Sequence, residues 1–392
     1  MAAAASATLV GNGLARFAYS PLLPVLIAQG WFAPGAAAYL GAANLLGYFI
    51  GAMAARHAAA RLGARGVLRG AMLVASISLL ACSVPMPFAW FFVWRLVSGI
   101  TGGLLMIIAP SLVLPLVPPA HRGLASGLIF TGVGLGIAAS GTLVPLLLSW
   151  SLTAAWLALG GVSLVLTLLA WRAWPAHVRP AATQPTHVKV PRGSTLISIS
   201  YGLFAVGMVP HMIFLVDYVA RGQGRGLAAG SIAWIMFGIG AACGAVVFGR
   251  MADRIGAAPA MTVVIVAQFA CLLALAFVQV PVASGVAALV SGLCLSGITS
   301  TMLGRVQDAA GADPVARQRG WTEATVAWAI GQASAAYGLA WLYARTGGYS
   351  AILGTAGAAL VLAAGLEGWM ALSRRGQGQV KPDCATLPRR DG

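Results

Sequence analysis

Asn12, Arg16 and Ser20 follow one another at intervals of four, with Tyr19 beside the last of them. On a helix this spacing brings the polar groups to one face. The run from 7 to 29 around them is otherwise apolar and long enough to cross a bilayer core. Arg16 lies roughly midway along it, too deep to snorkel easily to either surface. A guanidinium is permanently charged and offers a planar fork of donors, which suits a carboxylate, a sulfonate or a phosphate. The alternative is an internal ion pair or a clamp on backbone carbonyls. No acidic residue precedes Asp217, so the first half of the chain holds no carboxylate partner, and this favours a ligand. The expectation is that Arg16 anchors an anionic group, with Asn12, Tyr19 and Ser20 positioning it.

The second half supplies further candidates. His211 follows Pro210 just past the middle of the apolar run 195–219, and Asp217 lies near the end of that run. Six residues turn a helix by about 240°, so the two do not share a face. Histidine titrates near neutral pH, so His211 is either a coupling-proton carrier facing the same cavity as Arg16 or a satisfied polar residue lining its outer part. Asp217 is the second proton candidate. Gln332, deep in the run 321–344, either orients a polar substrate group or bonds between helices. Arg95, some seven residues into the run 88–113, reads first as a donor to neighbouring backbone carbonyls. Glu323 and Glu367 fall near run ends, where carboxylates reach the interface. Asp253 and Arg254 sit together in a short loop, where a latch on a gate fits better than contact with substrate.

Other chemistries lack their residues. There is no HExxH and no Gly-x-Ser-x-Gly, and His57, His121, His177 and His187 all fall outside the apolar runs, so an enzyme is not expected. The five cysteines show no metal-ligand or disulfide spacing. No cofactor and no metal are expected. The absence of a GxxxxGK[ST] loop leaves an ion gradient or the substrate gradient as the energy source.

The elements that must hold these groups follow from composition. Of 392 residues 59% are hydrophobic and 8% charged, against about 25% charged in soluble domains. Such a chain has the lipid bilayer as its solvent. Apolar runs fall at about 7–29, 37–55, 67–84, 88–113, 123–148 and 151–171, then at 195–219, 227–250, 259–280, 282–304, 321–344 and 349–372. Nineteen of the 24 Lys and Arg residues follow even-numbered runs; Arg221, Arg225 and Arg345 follow odd-numbered ones, and Arg16 and Arg95 lie within runs. The net charge of +16 is therefore orientation charge rather than a nucleic-acid surface. It places both termini and the 172–194 loop in the cytoplasm. Residues 1–10 carry no basic stretch, so the first run is expected to serve as an uncut anchor.

The two sets of six runs repeat. Leu96-Val97-Ser98-Gly99 recurs as Leu289-Val290-Ser291-Gly292, and Arg61-x-Gly63-Ala64 as Arg254-x-Gly256-Ala257. Arg122-Gly123, Gly134 and Gly141 recur as Arg319-Gly320, Gly331 and Gly338. An even number of spans per half makes the repeats parallel, related by an axis along the membrane normal. The expected organisation is a bundle over 1–172, a Pro-rich linker over 173–194, a second bundle over 195–373 and a tail over 374–392. The fold class is an all-α membrane protein of twelve transmembrane helices in two six-helix bundles.

Gly249-Arg250-Met251-Ala252-Asp253-Arg254-Ile255-Gly256 resembles the loop signature of the major facilitator superfamily, and Arg95-x-x-Ser98-Gly99 resembles its fourth-helix arginine motif. The opening Gly11-Asn12-Gly13-Leu14-Ala15-Arg16-Phe17-Ala18-Tyr19-Ser20-Pro21 is similar to the YbfB/YjiJ branch. The chain departs at Ala60, which stands where Asp253 stands in the second half. It departs again at Ser98, where the motif often has Gln, and at Pro145, which lacks the Gly-Pro dipeptide of antiporters. The resemblance implies a monomeric secondary transporter in a bacterial inner membrane that moves a small solute by alternating access. It implies a coupling or proton-relay role for Arg95 and gating by Asp253 and Arg254. An organic anion, with or without a proton, suits a cavity rich in Arg and His. Efflux of amphipathic compounds and a non-transporting receptor are the alternatives. The topology is checked by cysteine-accessibility labelling: positions 221 and 345 react from outside intact cells, and position 192 reacts only from inside.

Overall fold

The computed structural model describes residues 1–118, 122–175, 194–278, 280–311 and 313–378. Arg179, Lys189 and Arg192 of the linker, and Lys381, Cys384, Arg389 and Arg390 of the tail, lie outside these residues, as do His121, His177 and His187.

The first helix, α1, is assembled from Ala2–Thr8, a π-helical stretch Leu9–Phe17, and Tyr19–Ala28. It is followed by α2 (Pro34–Leu62), α3 (Ala64–Ala81), α4 (Phe88–Val113), α5 (Arg122–Leu148) and α6 (Leu152–Ala170). The second six are α7 (Ser194–Ile213), α8 (Gly226–Ile255), α9 (Ala257–Phe277), α10 (Pro281–Ala310), α11 (Pro314–Thr346) and α12 (Ser350–Gly378). Beyond Ile213, α7 continues as a short helix Leu215–Asp217 and a π turn Tyr218–Gly222. A helix of 29 residues such as α2 is about 43 Å long, more than the ~30 Å hydrocarbon core. Ten described helices are long and apolar enough to cross a membrane. The remaining two are α1, which its π stretch divides, and α11, which carries Arg317, Arg319 and Glu323.

Local chemistry sets the ends. Pro34, Pro281 and Pro314 each open a helix, where a missing N–H leaves nothing unsatisfied. Ser151 caps α6 by accepting from the Ala154 N–H at 2.9 Å. The α2–α3 and α8–α9 junctions turn on Gly63 (φ 75°) and Gly256 (φ 90°), the glycines of the repeated Arg-x-Gly-Ala sequence. Only glycine takes such angles freely.

Packing repeats with the sequence. In the first bundle α2 lies on α4, and in the second α8 lies on α10. A Cβ on Gly99 would run into the Asn44 carbonyl oxygen, and one on Gly292 into the Phe237 carbonyl oxygen. Lipid offers no hydrophobic drive for helices to associate, so close backbone approach at small residues carries the contact. Between bundles, α2 meets α11 and α5 meets α8. The named contacts there lie at mid-height or toward the end opposite the termini: Gly35 against Ala344, Gly134 against Ala242, and Tyr39 against Tyr337 with ring centroids 6.1 Å apart.

Three sequence expectations change. Arg305, assigned to a loop after the tenth run, lies inside α10 and is 3% exposed. Glu367, expected at the interface, is equally buried and accepts from Arg305 Nη2 at 2.9 Å. A buried charge needs a paired, hydrogen-bonded partner, and each residue supplies the other's. Arg69, assigned to the loop after α2, lies in α3 and donates from Nε to the Trp171 carbonyl at 2.7 Å.

The glycine contacts yield a stability test. Gly99→Ala should cost about 1–3 kcal/mol as α2 and α4 are forced apart. Gly70→Ala, with no heavy atom within 4 Å of the added carbon, should leave thermal unfolding unchanged or slightly raised. Unfolding of both variants in detergent measures the contrast.

Candidate functional site

The π stretch of α1 places Arg16 at the meeting of the two bundles. π-Helical turns leave carbonyls short of partners and often mark functional positions. Here the Ala15 carbonyl accepts from Arg95 Nη1 at 2.7 Å and from Ser98 Oγ at 3.0 Å. The Arg16 carbonyl accepts from Arg95 Nη2 at 3.4 Å. Asn44 of α2 supports this clasp by donating to the Arg95 carbonyl at 3.2 Å and to Ser98 Oγ at 3.3 Å. The Arg95 guanidinium also lies 4.4 Å from the Tyr19 ring centroid. Arg95 is thus held by backbone and ring, inside the first bundle, as a donor to carbonyls.

Arg16 turns the other way. Its Nη2 donates to Gln332 Oε1 of α11 at 2.6 Å, and its guanidinium lies 4.4 Å from the Tyr48 ring centroid and 5.0 Å from that of Phe17. Its Nε has no hydrogen-bond partner. Gln332 is itself oriented by Nε2, which donates to Met212 Sδ at 3.2 Å. No carboxylate pairs with Arg16 among the described residues. The arrangement is a cation held by a neutral amide and ring faces, which can exchange that amide for a stronger acceptor.

The polar neighbours of Arg16 on α1 are divided among several contacts. Asn12 donates to the Gly102 carbonyl at 3.4 Å and to Met106 Sδ at 3.6 Å, both on α4. The Tyr19 hydroxyl donates to the Ala37 carbonyl at 2.7 Å on α2. Ser20 donates to the Ile213 carbonyl at 3.3 Å, pinning α1 to the point where α7 breaks. Arg16, Gln332 and Ser20 therefore come together at the interface between bundles, while Asn12 and Tyr19 brace α1 within its own bundle.

His211 does not join them. It turns into the second bundle, where its Nδ1 lies 3.1 Å from Gln268 Nε2 of α9. An amide N–H can only donate, so Nδ1 accepts and the ring proton belongs on Nε2, which has no partner. His211 borders a narrow pocket with Pro210, Phe214, Tyr218, Leu275 and Tyr349. The expectation that it faces Arg16 across a common cavity gives way to this geometry, because the ring projects toward α9. Asp217, fully buried, accepts from Tyr349 Oη at 2.6 Å, Tyr343 Oη at 3.0 Å and Arg221 Nη1 at 3.2 Å. Asp253 and Arg254, expected in a short loop, instead lie exposed in the last turn of α8, and no ion pair joins them among the described residues.

Sequence reasoning passed over Tyr48, Gln268 and Asn44. The signal for Gln268 was present, a lone amide in an apolar run, as it was for Asn44. Tyr48 carried none, since an aromatic in an apolar helix is ordinary.

Comparison with known proteins agrees with this architecture. Residues 8–367 match the family described as uncharacterised MFS-type transporter YbfB. No curated protein sequence matches the chain. Among solved structures, the chain is similar to a D-xylose-proton symporter, with a TM-score of 0.70 and 16% identity over 93% of this chain and 95% of that one. It is also similar to a bacterial homologue of the human lysosomal transporter Spinster in an inward-facing and occupied conformation. There the TM-score is 0.67 at 15% identity, over 95% of this chain and 96% of that one. At these identities the likeness concerns the fold. With its arginine at the bundle interface, its repeated glycine packing and a family match spanning residues 8–367, the chain belongs to the YbfB-type branch of the major facilitator superfamily of transporters.

Proposed function

We propose that this secondary transporter carries a small organic anion, and that Arg16 is the residue that binds it. The observation that carries the reading is a guanidinium buried at mid-membrane between two bundles and bonded to a neutral amide. A charge at that depth costs several kcal/mol unless it serves a partner or a pathway. An arriving carboxylate displaces Gln332 Oε1 and accepts from both Nη2 and Nε, and the freed amide turns to donate to it from Nε2. Because Arg16 belongs to one bundle and Gln332 to the other, the same exchange loosens the bond between them. Binding is thereby linked to the rocking that alternating access requires. Asn12 and Tyr19 act by holding α1, and Ser20 by holding its junction with α7.

The contacts between bundles close the end opposite the termini, which is the outer end if the basic loops face the cytoplasm. The state described is then closed to the outside. Asp253 and Arg254, exposed at the end of α8, are proposed to latch the inner end when it closes. The coupling ion is proposed to be a proton taken by His211, which lines a pocket with Tyr218 and Tyr349 and whose Nε2 has no hydrogen-bond partner among the described residues. On this reading His211 acts through the packing of α7 on α9 rather than by touching substrate, with Asp217 at the outer end of the same helix and Arg95 holding the π stretch.

Replacing Arg16 by Ala should weaken carboxylate binding by about tenfold to somewhat over a hundredfold, from ~1.5–3 kcal/mol for one charge-assisted bond. Arg16→Lys should recover little of this, since a point charge replaces a planar fork. Binding to purified protein reads both, and wild-type affinity in Arg16→Ala removes the anion reading. His211→Gln keeps a donor and acceptor but cannot carry a proton. In proteoliposomes it should leave substrate exchange intact while flattening the pH dependence of net accumulation; an unaltered pH profile would exclude His211 as the proton site.

A further inference from the structure

Aromatic side chains lie over Arg16 in the first bundle and one turn from Gln332 in the second. Trp328 lies one turn before Gln332 on α11, so the two occupy the same face. Its indole packs on Tyr201 of α7, with centroids 4.7 Å apart and planes at 35°, and on Phe204 at 6.2 Å and 28°. Tyr201 and Phe204 are buried, whereas Trp328 is only half-buried. From the other bundle, Tyr48 lies over the Arg16 guanidinium. It too is half-buried.

Tyr201 and Phe204 pack on Trp328, which shares its helix face with Gln332, the residue that bonds Arg16 of the other bundle. A partly uncovered phenol therefore lies over a buried cation that pairs with no carboxylate among the described residues, and a partly uncovered indole lies one turn along α11 from the amide that the cation holds. We infer that the anion bound at Arg16 carries its carboxylate on a planar aromatic ring, with the ring stacked against Trp328 and Tyr48. This rests on the reading of Arg16 as an anion anchor and adds the shape of what is anchored. The guanidinium takes the carboxylate in its own plane, which leaves the ligand ring to meet aromatic faces in offset stacking. Such pairs contribute beyond the apolar area they bury.

Benzoate and cyclohexanecarboxylate separate ring stacking from charge and hydrophobicity, since both are monocarboxylates on six-membered rings and the saturated one is the more apolar. Affinities are measured by calorimetry on the full-length protein in lipid nanodiscs at pH 7. Wild type should prefer benzoate by about twofold to tenfold. Trp328→Leu should abolish that preference while leaving cyclohexanecarboxylate affinity within about twofold, and Arg16→Ala should weaken both ligands by about tenfold or more. Tyr201→Leu, which removes the support under the indole, serves as the second variant should Trp328→Leu fail to give a monodisperse protein. Equal affinities in wild type, or a benzoate preference that persists in a folded Trp328→Leu or Tyr201→Leu protein, overturns the aromatic assignment and leaves the anion site standing. If neither carboxylate binds, the anion site itself fails, and this inference fails with it.

Discussion

An arginine at mid-bilayer must be given partners by the protein, because lipid provides none. Arg16 meets this constraint with one amide, Gln332 Oε1 at 2.6 Å, and the faces of Tyr48 and Phe17. Much of the surrounding structure supports that solution. The π stretch Leu9–Phe17 frees carbonyls at the level where Arg16 turns outward, and Arg95 and Ser98 bond to one of them. Asn44 steadies both donors. The irregular backbone is tolerated because it is enclosed by α3, α4 and α5 rather than facing lipid.

The other buried arginines answer the same constraint differently, and the contrast bears on function. Arg305 pairs with Glu367 inside the second bundle. Arg95 donates to carbonyls inside the first. Both find their partners within a single bundle, so motion of one bundle against the other would leave those partners in place. Arg16 bonds between bundles, to a neutral group. Its contact is weaker than an ion pair and lies where relative motion would break it.

Rigid bodies are a precondition for such motion. Gly99 and Gly292, at the same place in the two repeats, bring α2 onto α4 and α8 onto α10 until backbones touch. Contacts of that kind tolerate no added carbon and therefore no sliding. The bundles meet each other through rings, through close contacts such as Gly134 against Ala242, and through single hydrogen bonds such as Ser20 to the Ile213 carbonyl and Trp234 Nε1 to Ser140 Oγ at 3.1 Å.

Twelve helices, their pairing into repeats and the depth of Arg16 are already determined by the chain, because solvation by lipid leaves only helices to span and makes any buried charge conspicuous. The Arg-x-Gly-Ala turns were legible for the same reason, since their glycines serve a local backbone angle. Which way a polar side chain points was decided only by tertiary structure. His211, Asp217 and Glu367 sit on helices whose every face is apolar in sequence, so periodicity could not say which neighbour each would meet. The fold turns His211 toward Gln268, Asp217 toward Tyr343 and Tyr349, and Glu367 toward Arg305. The π stretch was equally hidden, because its residues would form an ordinary helix alone. It forms where Arg95 and Ser98, some eighty residues away in the chain, are held against α1 to take the carbonyls that it frees.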